Sequence, residues 1–232
     1  MGDLETSRQF WDEKAKENAY WFISSAGPYE GRNLDEFWAS GTLIWNDLKR
    51  ATGYRPEAGH LVVEIGCGIG RLTRAIAPEV GQVDAFDISG EMLKKAQSCV
   101  NATNVTFRQS ETPELPEVPG ACADAFVAYC VFQHLPSIDV LAAYLQTAAR
   151  VLKPGGMLIF TMSPRTWRDN LAAVMRARLR LVELRARGGP RGLYKTEWYG
   201  VRPPQNAIQG MCSIQLKRDL LHGDKWLFFG RR

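Results

Sequence analysis

The chain has no C-x-x-C pair, and its five cysteines (Cys67, Cys99, Cys122, Cys130 and Cys212) are odd in number and widely spaced. That argues against a disulfide framework or a zinc site and for a reducing, intracellular setting, with the cytoplasm as the expected location. No apolar run reaches the roughly 18 to 20 residues that a spanning helix needs, so no membrane association is expected. The N-terminal "MGDLETSRQF" lacks a hydrophobic signal core. Gly2 and Thr6 match the loose myristoylation pattern, but Asp3 beside the glycine fits it poorly. There is no internal repeat and no low-complexity tract. Charge of one sign is not in excess: a net +4 over 232 residues does not by itself imply a nucleic-acid partner.

Apolar segments of strand length are abundant. "HLVVEI", "QVDAFD", "VTFRQ", "DAFVAYC" and "GMLIFTM" read as strands from His60 onward, with helical stretches at Leu72–Ala77, Gly90–Cys99 and Ile138–Leu152 between them. That alternation predicts βαβ units and a parallel sheet with helices on both faces. An aromatic-rich segment precedes them, with helices expected over about 6–22 and from Leu34 to Thr52, ending before Gly53. After the fifth strand, 165–187 reads as one helix with Leu171, Val174, Met175, Leu179 and Val182 on one face, closed by "RGGPRG". A short helix near Asn206–Met211 follows. Then "CSIQLKRDLL" and "KWLFFGRR", joined at "HGD", predict an antiparallel hairpin.

The segment Glu64-Ile65-Gly66-Cys67-Gly68-Ile69-Gly70 is a glycine turn at the end of the first strand. A dinucleotide turn of the form G-x-G-x-x-G needs glycine at position 71, where Arg71 stands. Glu64 would repel a pyrophosphate and suits a cationic group. Asp87 ends the second strand, where a carboxylate accepts hydrogen bonds from both ribose hydroxyls. The two acids together favour an uncharged nucleoside carrying a cationic chain. S-adenosylmethionine, with a ribose, an ammonium and a sulfonium, fits that description.

Four segments, "VVEIGCGIGRLTRAIA", "DAFDISGEML", "DAFVAYCVFQHLP" and "VLKPGGMLIFTM", resemble in order and spacing the motifs of class I S-adenosylmethionine-dependent methyltransferases, most closely the small-molecule group (methyltransferase type 11/25-like). The resemblance covers about Leu61 to Met162. It implies an α/β Rossmann-like seven-stranded sheet of order 3-2-1-4-5-7-6 with strand 7 antiparallel. The expected organisation is an N-terminal helical cap or lid over 1–55 and a methyltransferase domain over 56–232, with a helical insert after strand 5 at about 163–200.

The resemblance also implies site roles. Gly66, Cys67 and Gly68 pass under the methionine portion of S-adenosylmethionine, with Glu64 beside it. Asp87 holds the ribose hydroxyls, and Ile88 and Met92 line the adenine pocket. In "SETPELP", Glu111 stands where the family has an acid for the adenine amino group, a longer carboxylate than usual, and Thr112 follows it. Tyr129 faces the amino-acid end. Trp11, Tyr20, Trp21 and Trp38 read equally as a lid over the site or as the apolar faces of packing helices, and Tyr20, in "NAYWF", is expected to reach the cofactor carboxylate with its hydroxyl.

Methyl transfer to a hydroxyl or ammonium group needs alignment, exclusion of water and removal of a proton. His134, in "VFQHLP" after strand 4, is the candidate base. His60 and His222 read as structural or solvated. "AYCVFQH" departs from the Asn/Asp-Pro-Pro-aromatic motif of amino-methylating DNA enzymes, Cys130 does not follow a proline, and no clustered acids mark a metal site. The expected reaction is methylation of an oxygen or nitrogen atom of a small organic acceptor, yielding S-adenosylhomocysteine (SAH), without a metal, in a monomer or homodimer. Eight arginines between Arg165 and Arg191, against Asp169 and Glu183, read either as a solvated helix face or as a surface for an anionic acceptor or partner, and two alternatives to the small-molecule reading stay open. A protein or RNA methyltransferase would use them to hold an anionic partner; a non-catalytic cofactor-binding regulator is the other.

Overall fold

A computed structural model describes residues 2–25, 27–162, 200–201, 203–221 and 225–232. The arginine-rich helix expected over 165–187, most of the insert, and His222 lie outside the described residues.

Seven strands form one sheet: β1 (Leu61–Ile65), β2 (Gln82–Asp87), β3 (Val105–Gln109), β4 (Ala123–Ala128), β5 (Leu152–Met162), β6 (Lys217–Leu221) and β7 (Lys225–Arg231). Their order is β3-β2-β1-β4-β5-β7-β6. The first five run parallel, and β7 is antiparallel to both β5 and β6. The central strands are almost continuously apolar because both faces are covered. Period-two alternation then sorts them. Val63, Ile65, Phe126, Ala128, Leu158 and Phe160 enter one core with α5 (Ile138–Val151). Val62, Ala125, Val127, Ile159 and Leu227 enter the other with Trp45 and Leu48 of α2 (Leu34–Thr52) and Ile76 of α3 (Thr73–Ile76). β6 closes the sheet with exposed Lys217, Arg218 and Asp219, a charged edge that discourages further strand pairing.

The helix boundaries have local causes. Asn33 caps α2 by accepting from the Asp35 and Glu36 amides, and Gly53, at φ 71°, ends it by donating to the Lys49 carbonyl. Ser89 caps α4 (Gly90–Cys99) through the Met92 amide, and Ser137 caps α5 through Val140. α1 (Gly2–Ile23) is broken at Asn18, whose Oδ1 accepts from the Trp21 amide and whose Nδ2 donates to the Tyr29 carbonyl. α6 (Gln205–Gln209) precedes the hairpin.

Some strand ends differ from the sequence reading. The strand expected from Cys212 begins only at Lys217, because the Gln209 side chain takes the Ile214 carbonyl and the Leu216 amide that a ladder would use. β4 stops at Ala128 rather than Cys130: Cys130 has φ 61°, and its amide donates to the Thr161 side-chain Oγ1 of β5 instead of to a backbone carbonyl of that strand. Among the described residues no helix is long and apolar enough to cross a membrane.

Candidate functional site

The C-terminal ends of β1, β2 and β4 meet at one edge of the sheet, and the glycine turn leaves β1 there. Gly66 and Gly68 have φ of 67° and 57°, in the left-handed region that side chains disfavour. There is no room either: a Cβ on Gly66 would stand 2.2 Å from Val131 Cγ2, and one on Gly68 would stand 2.7 Å from Ile23 Cδ1. Cys67, between them, is buried, and its amide donates to the Phe86 carbonyl at 3.0 Å, holding the turn against β2.

Two buried acids bracket the turn. Glu64 is 2 % exposed, and its Oε2 accepts from Thr73 Oγ1 at 2.6 Å. Burial pushes its carboxyl up to about 7; Asp87 adds to the rise, while Thr73 and Arg71 oppose it. Asp87 is 8 % exposed, and its two oxygens accept from the Gly68 amide at 2.7 Å and the Ser89 amide at 2.9 Å. Burial raises it to about 6 against those amides, with Asp12 adding to the rise. Neither acid is in a salt bridge among the described residues. Two desolvated carboxylates beside a glycine-rich turn are the acceptor set for a ligand with a positive charge and hydroxyls. The residues present therefore fit S-adenosylmethionine.

Around this pair the expected residues fall into two groups. Ile88 follows directly on Asp87, and its carbonyl accepts from Gln109. Met92 is 2 % exposed and packs with Ile69, Phe37, Ala15 and Ala19, so α1 and α2 roof this part of the edge. Tyr129 stands just past β4, with its hydroxyl 3.4 Å from Lys225 Nζ. Burial first, then Cys130, raises its phenol, against Lys225 and Arg71. His134 lies in a 3-10 turn, Phe132–His134, its ring edge-on to Trp11 at 5.3 Å and its Nε2 3.2 Å from Gln133 Nε2. A side chain of α1 thus reaches the candidate base.

The remaining residues are not drawn into the cluster. Glu111 and Thr112 are exposed in the loop after β3, although the neighbouring Ser110 amide donates to the Asp87 carbonyl at 2.9 Å. The Tyr20 hydroxyl faces Cys99 Sγ, at 3.8 Å, at the C-terminal end of α4, and its ring packs on Phe37 and Trp38. Its hydroxyl is directed to Cys99 by α1 packing onto α4, while its ring packs against the cluster that holds Met92 and Ile69.

Three residues at the site escaped the sequence reading. Asp12 of α1 accepts from Ser89 Oγ at 2.6 Å and from the Glu91 amide at 3.1 Å, at the N-terminus of α4. Arg71 and Lys225 both approach the Tyr129 ring. Arg71 carried a signal, as the side chain standing where a dinucleotide turn needs glycine. Asp12 and Lys225 carried none, because their partners are 77 and 96 positions away.

Comparison with known proteins agrees with this geometry. Residues 62–156 match the family described as "Methyltransferase domain". Malonyl-[acyl-carrier protein] O-methyltransferase of Halalkalibacterium halodurans is 33% identical over 185 residues, covering 76% of this chain and 66% of that protein. Chondramide synthase of Chondromyces crocatus is 37% identical over 126 residues, 52% of this chain and 3% of that protein. The chain thus spans less than two thirds of the length of these curated relatives. Among solved structures, magnesium protoporphyrin IX methyltransferase from Synechocystis PCC 6803 with bound SAH shares the fold, with a TM-score of 0.65 at 16% identity and 97% coverage of both chains. By motif order, sheet order and these relationships, the chain belongs to the class I S-adenosylmethionine-dependent methyltransferases.

Proposed function

We propose that this protein transfers a methyl group from S-adenosylmethionine to an oxygen or nitrogen atom of a small organic acceptor. The observation that carries the reading is the buried pair Glu64 and Asp87 on adjacent parallel strands, with Gly66 to Gly68 between them and hydrogen-bonded to Asp87. In this reading Asp87 accepts from the ribose hydroxyls, and Glu64 faces the ammonium. Gly66, Cys67 and Gly68 admit the methionine portion, and Tyr129 lies toward its end. Ile88 and Met92 line the adenine pocket, and the exposed Glu111 and Thr112 close on its amino group. Residues 1–55 act as a cap on a catalytic domain spanning 56–232. The relatives named for malonyl-[acyl-carrier protein] and ubiquinone biosynthesis are O-methyltransferases, which supports a small-molecule acceptor.

When bound, S-adenosylmethionine supplies a methyl carbon activated by its sulfonium. The protein's part is to align the acceptor, exclude water and take the acceptor's proton, and His134 is the base we assign. Trp11, edge-on to His134, shields that base from solvent.

Calorimetry with SAH tests the reading. Wild-type protein binds SAH and Asp87→Ala does not; tight binding of NADH with no binding of SAH overturns the assignment. Transfer of labelled methyl from S-adenosylmethionine across a panel of phenols, carboxylic acids and amines tests the reaction itself. His134→Ala slows it at saturating acceptor if His134 is the base.

A further inference from the structure

Three cations gather on aromatic rings beside the glycine turn. The guanidinium carbons of Arg32 and Arg71 lie 5.0 and 5.5 Å from the centre of the Phe37 ring. Arg71 also lies 6.0 Å from the centre of the Tyr129 ring. Lys225 Nζ is 5.3 Å from that same ring. Lys225 opens β7, and because β7 runs antiparallel to β5, its first residue stands at the edge where the parallel strands end.

None of the three cations has a salt bridge among the described residues. Arg71 is only 8 % exposed, and among the described residues its guanidinium, with five N–H donors, makes a single side-chain hydrogen bond, to Ser40 Oγ at 3.2 Å. Glu64 is the carboxylate that acts on Arg71. Being raised to about 7, it balances that charge only in part at neutral pH. The aromatic faces attract the cations but supply no counter-charge. A desolvated guanidinium whose charge is only partly balanced is costly, and α2 packs closely on the Arg71 backbone: a Cβ on Gly41 would stand 2.2 Å from its carbonyl oxygen.

A planar fork, an ammonium and a phenol hydroxyl around one spot are the donors that a carboxylate requires. We propose that Arg71 and Lys225, together at Tyr129, form a receptor for a carboxylate at the C-terminal edge of β1 and β4. The source of that carboxylate rests on the methyl-transfer reading: it belongs either to the amino-acid end of the cofactor or to an acidic acceptor.

The test is calorimetry on wild type, Arg71→Met, Arg71→Lys and Lys225→Met. SAH is compared with 5′-methylthioadenosine, which keeps the nucleoside thioether and lacks the carboxylate. Malonate and benzoate are then titrated into SAH-saturated protein. If the cofactor is the source, Arg71→Met and Lys225→Met weaken SAH by about tenfold or more and leave methylthioadenosine unchanged, while Arg71→Lys loses less. If an acceptor is the source, both nucleosides bind all variants alike, and the two Met variants lose the malonate or benzoate binding of wild type. The proposal is overturned if the ratio of SAH to methylthioadenosine affinity stays constant and the Met variants bind carboxylates as wild type does, or wild type binds none. That result leaves methyl transfer standing. Wild-type protein that binds neither nucleoside defeats the methyl-transfer reading instead, and malonate or benzoate alone then decides the receptor.

Discussion

The Gly68 amide donates to Asp87 Oδ2 at 2.7 Å, so the turn that leaves β1 is fastened to the acid that ends β2. The Ser89 amide takes the other oxygen at 2.9 Å. Asp87 therefore builds the turn, in addition to the ribose contact proposed for it. An asparagine has one acceptor oxygen, and its NH2 would oppose an N–H. Asp87→Asn leaves one buried amide unpaired and lowers stability by about 1–3 kcal/mol, read from urea denaturation. It also weakens SAH binding. An Asp87→Asn protein as stable as wild type would show that the turn does not depend on this carboxylate.

Glu64 and Asp87 make stability fall as pH rises. Both carboxyls are raised in the folded protein, to about 7 and about 6 from ordinary values of 4.5 and 3.8. The folded state thus holds these protons to higher pH than the unfolded chain does. Their favourable contribution is complete below the unfolded values and is lost as pH passes through about 6 and about 7. Glu64→Gln keeps an acceptor for Thr73 and removes the upper part of this loss. The slopes of the two denaturation profiles should differ between about pH 4.5 and about pH 7, with a constant offset above that. Parallel profiles would disprove the linkage.

The same pair predicts proton release on binding. A ligand that brings an ammonium to Glu64 and hydroxyl donors to Asp87 favours both ionised forms. SAH binding at a pH near the raised values then expels protons, and the measured enthalpy varies with the ionisation enthalpy of the buffer. Glu64→Gln reduces that dependence. An enthalpy indifferent to buffer in wild type would mean that the acids are already ionised.

The geometry of Gly66 separates two kinds of cost. Gly66→Ala adds a Cβ 2.2 Å from Val131 Cγ2 at φ 67°. Backbone strain of this kind costs about 1–3 kcal/mol, and the collision adds to it. The double variant with Val131→Ala removes the collision alone. Thermal denaturation should show partial recovery; full recovery would mean that φ costs nothing here.

Much of this arrangement was legible before the structure. Periodicity alone separated strands from helices, and α4 spans the expected Gly90–Cys99 because Ser89 and the apolar spacing both mark it. The glycines and acids of the site were legible because a tight turn and a buried charge each demand particular residues. What escaped was tertiary. Gln209 takes hydrogen bonds from the expected first half of β6, and Thr161 pulls Cys130 out of β4. Tyr20 goes to Cys99 because α1 lies along α4, which no local pattern in 1–55 states. Lys225 meets Tyr129 only once the antiparallel β7 has brought its first residue to the edge where the parallel strands end.

Asp12 shows how the N-terminal helix is coupled to the site. Its Oδ1 accepts from Ser89 Oγ and from the Glu91 amide, so an acid of α1 sits on the positive end of α4. It also raises Asp87, which is the acid assigned to the ribose. Asp12→Ala removes an anchor of α1 and a neighbouring negative charge together. Loss of the anchor, worth about 1 kcal/mol, should expose α1 to protease at lower temperature. Loss of the charge should lower the pH at which Asp87 ionises and shift proton release on SAH binding to lower pH. Asp12→Asn separates the two effects: it keeps an acceptor oxygen and removes the charge, so it should preserve protease resistance and still show the pH shift. If both variants resist protease as wild type does, α1 is held by its apolar contacts with Met92 and Ile69, and Asp12 is not its anchor.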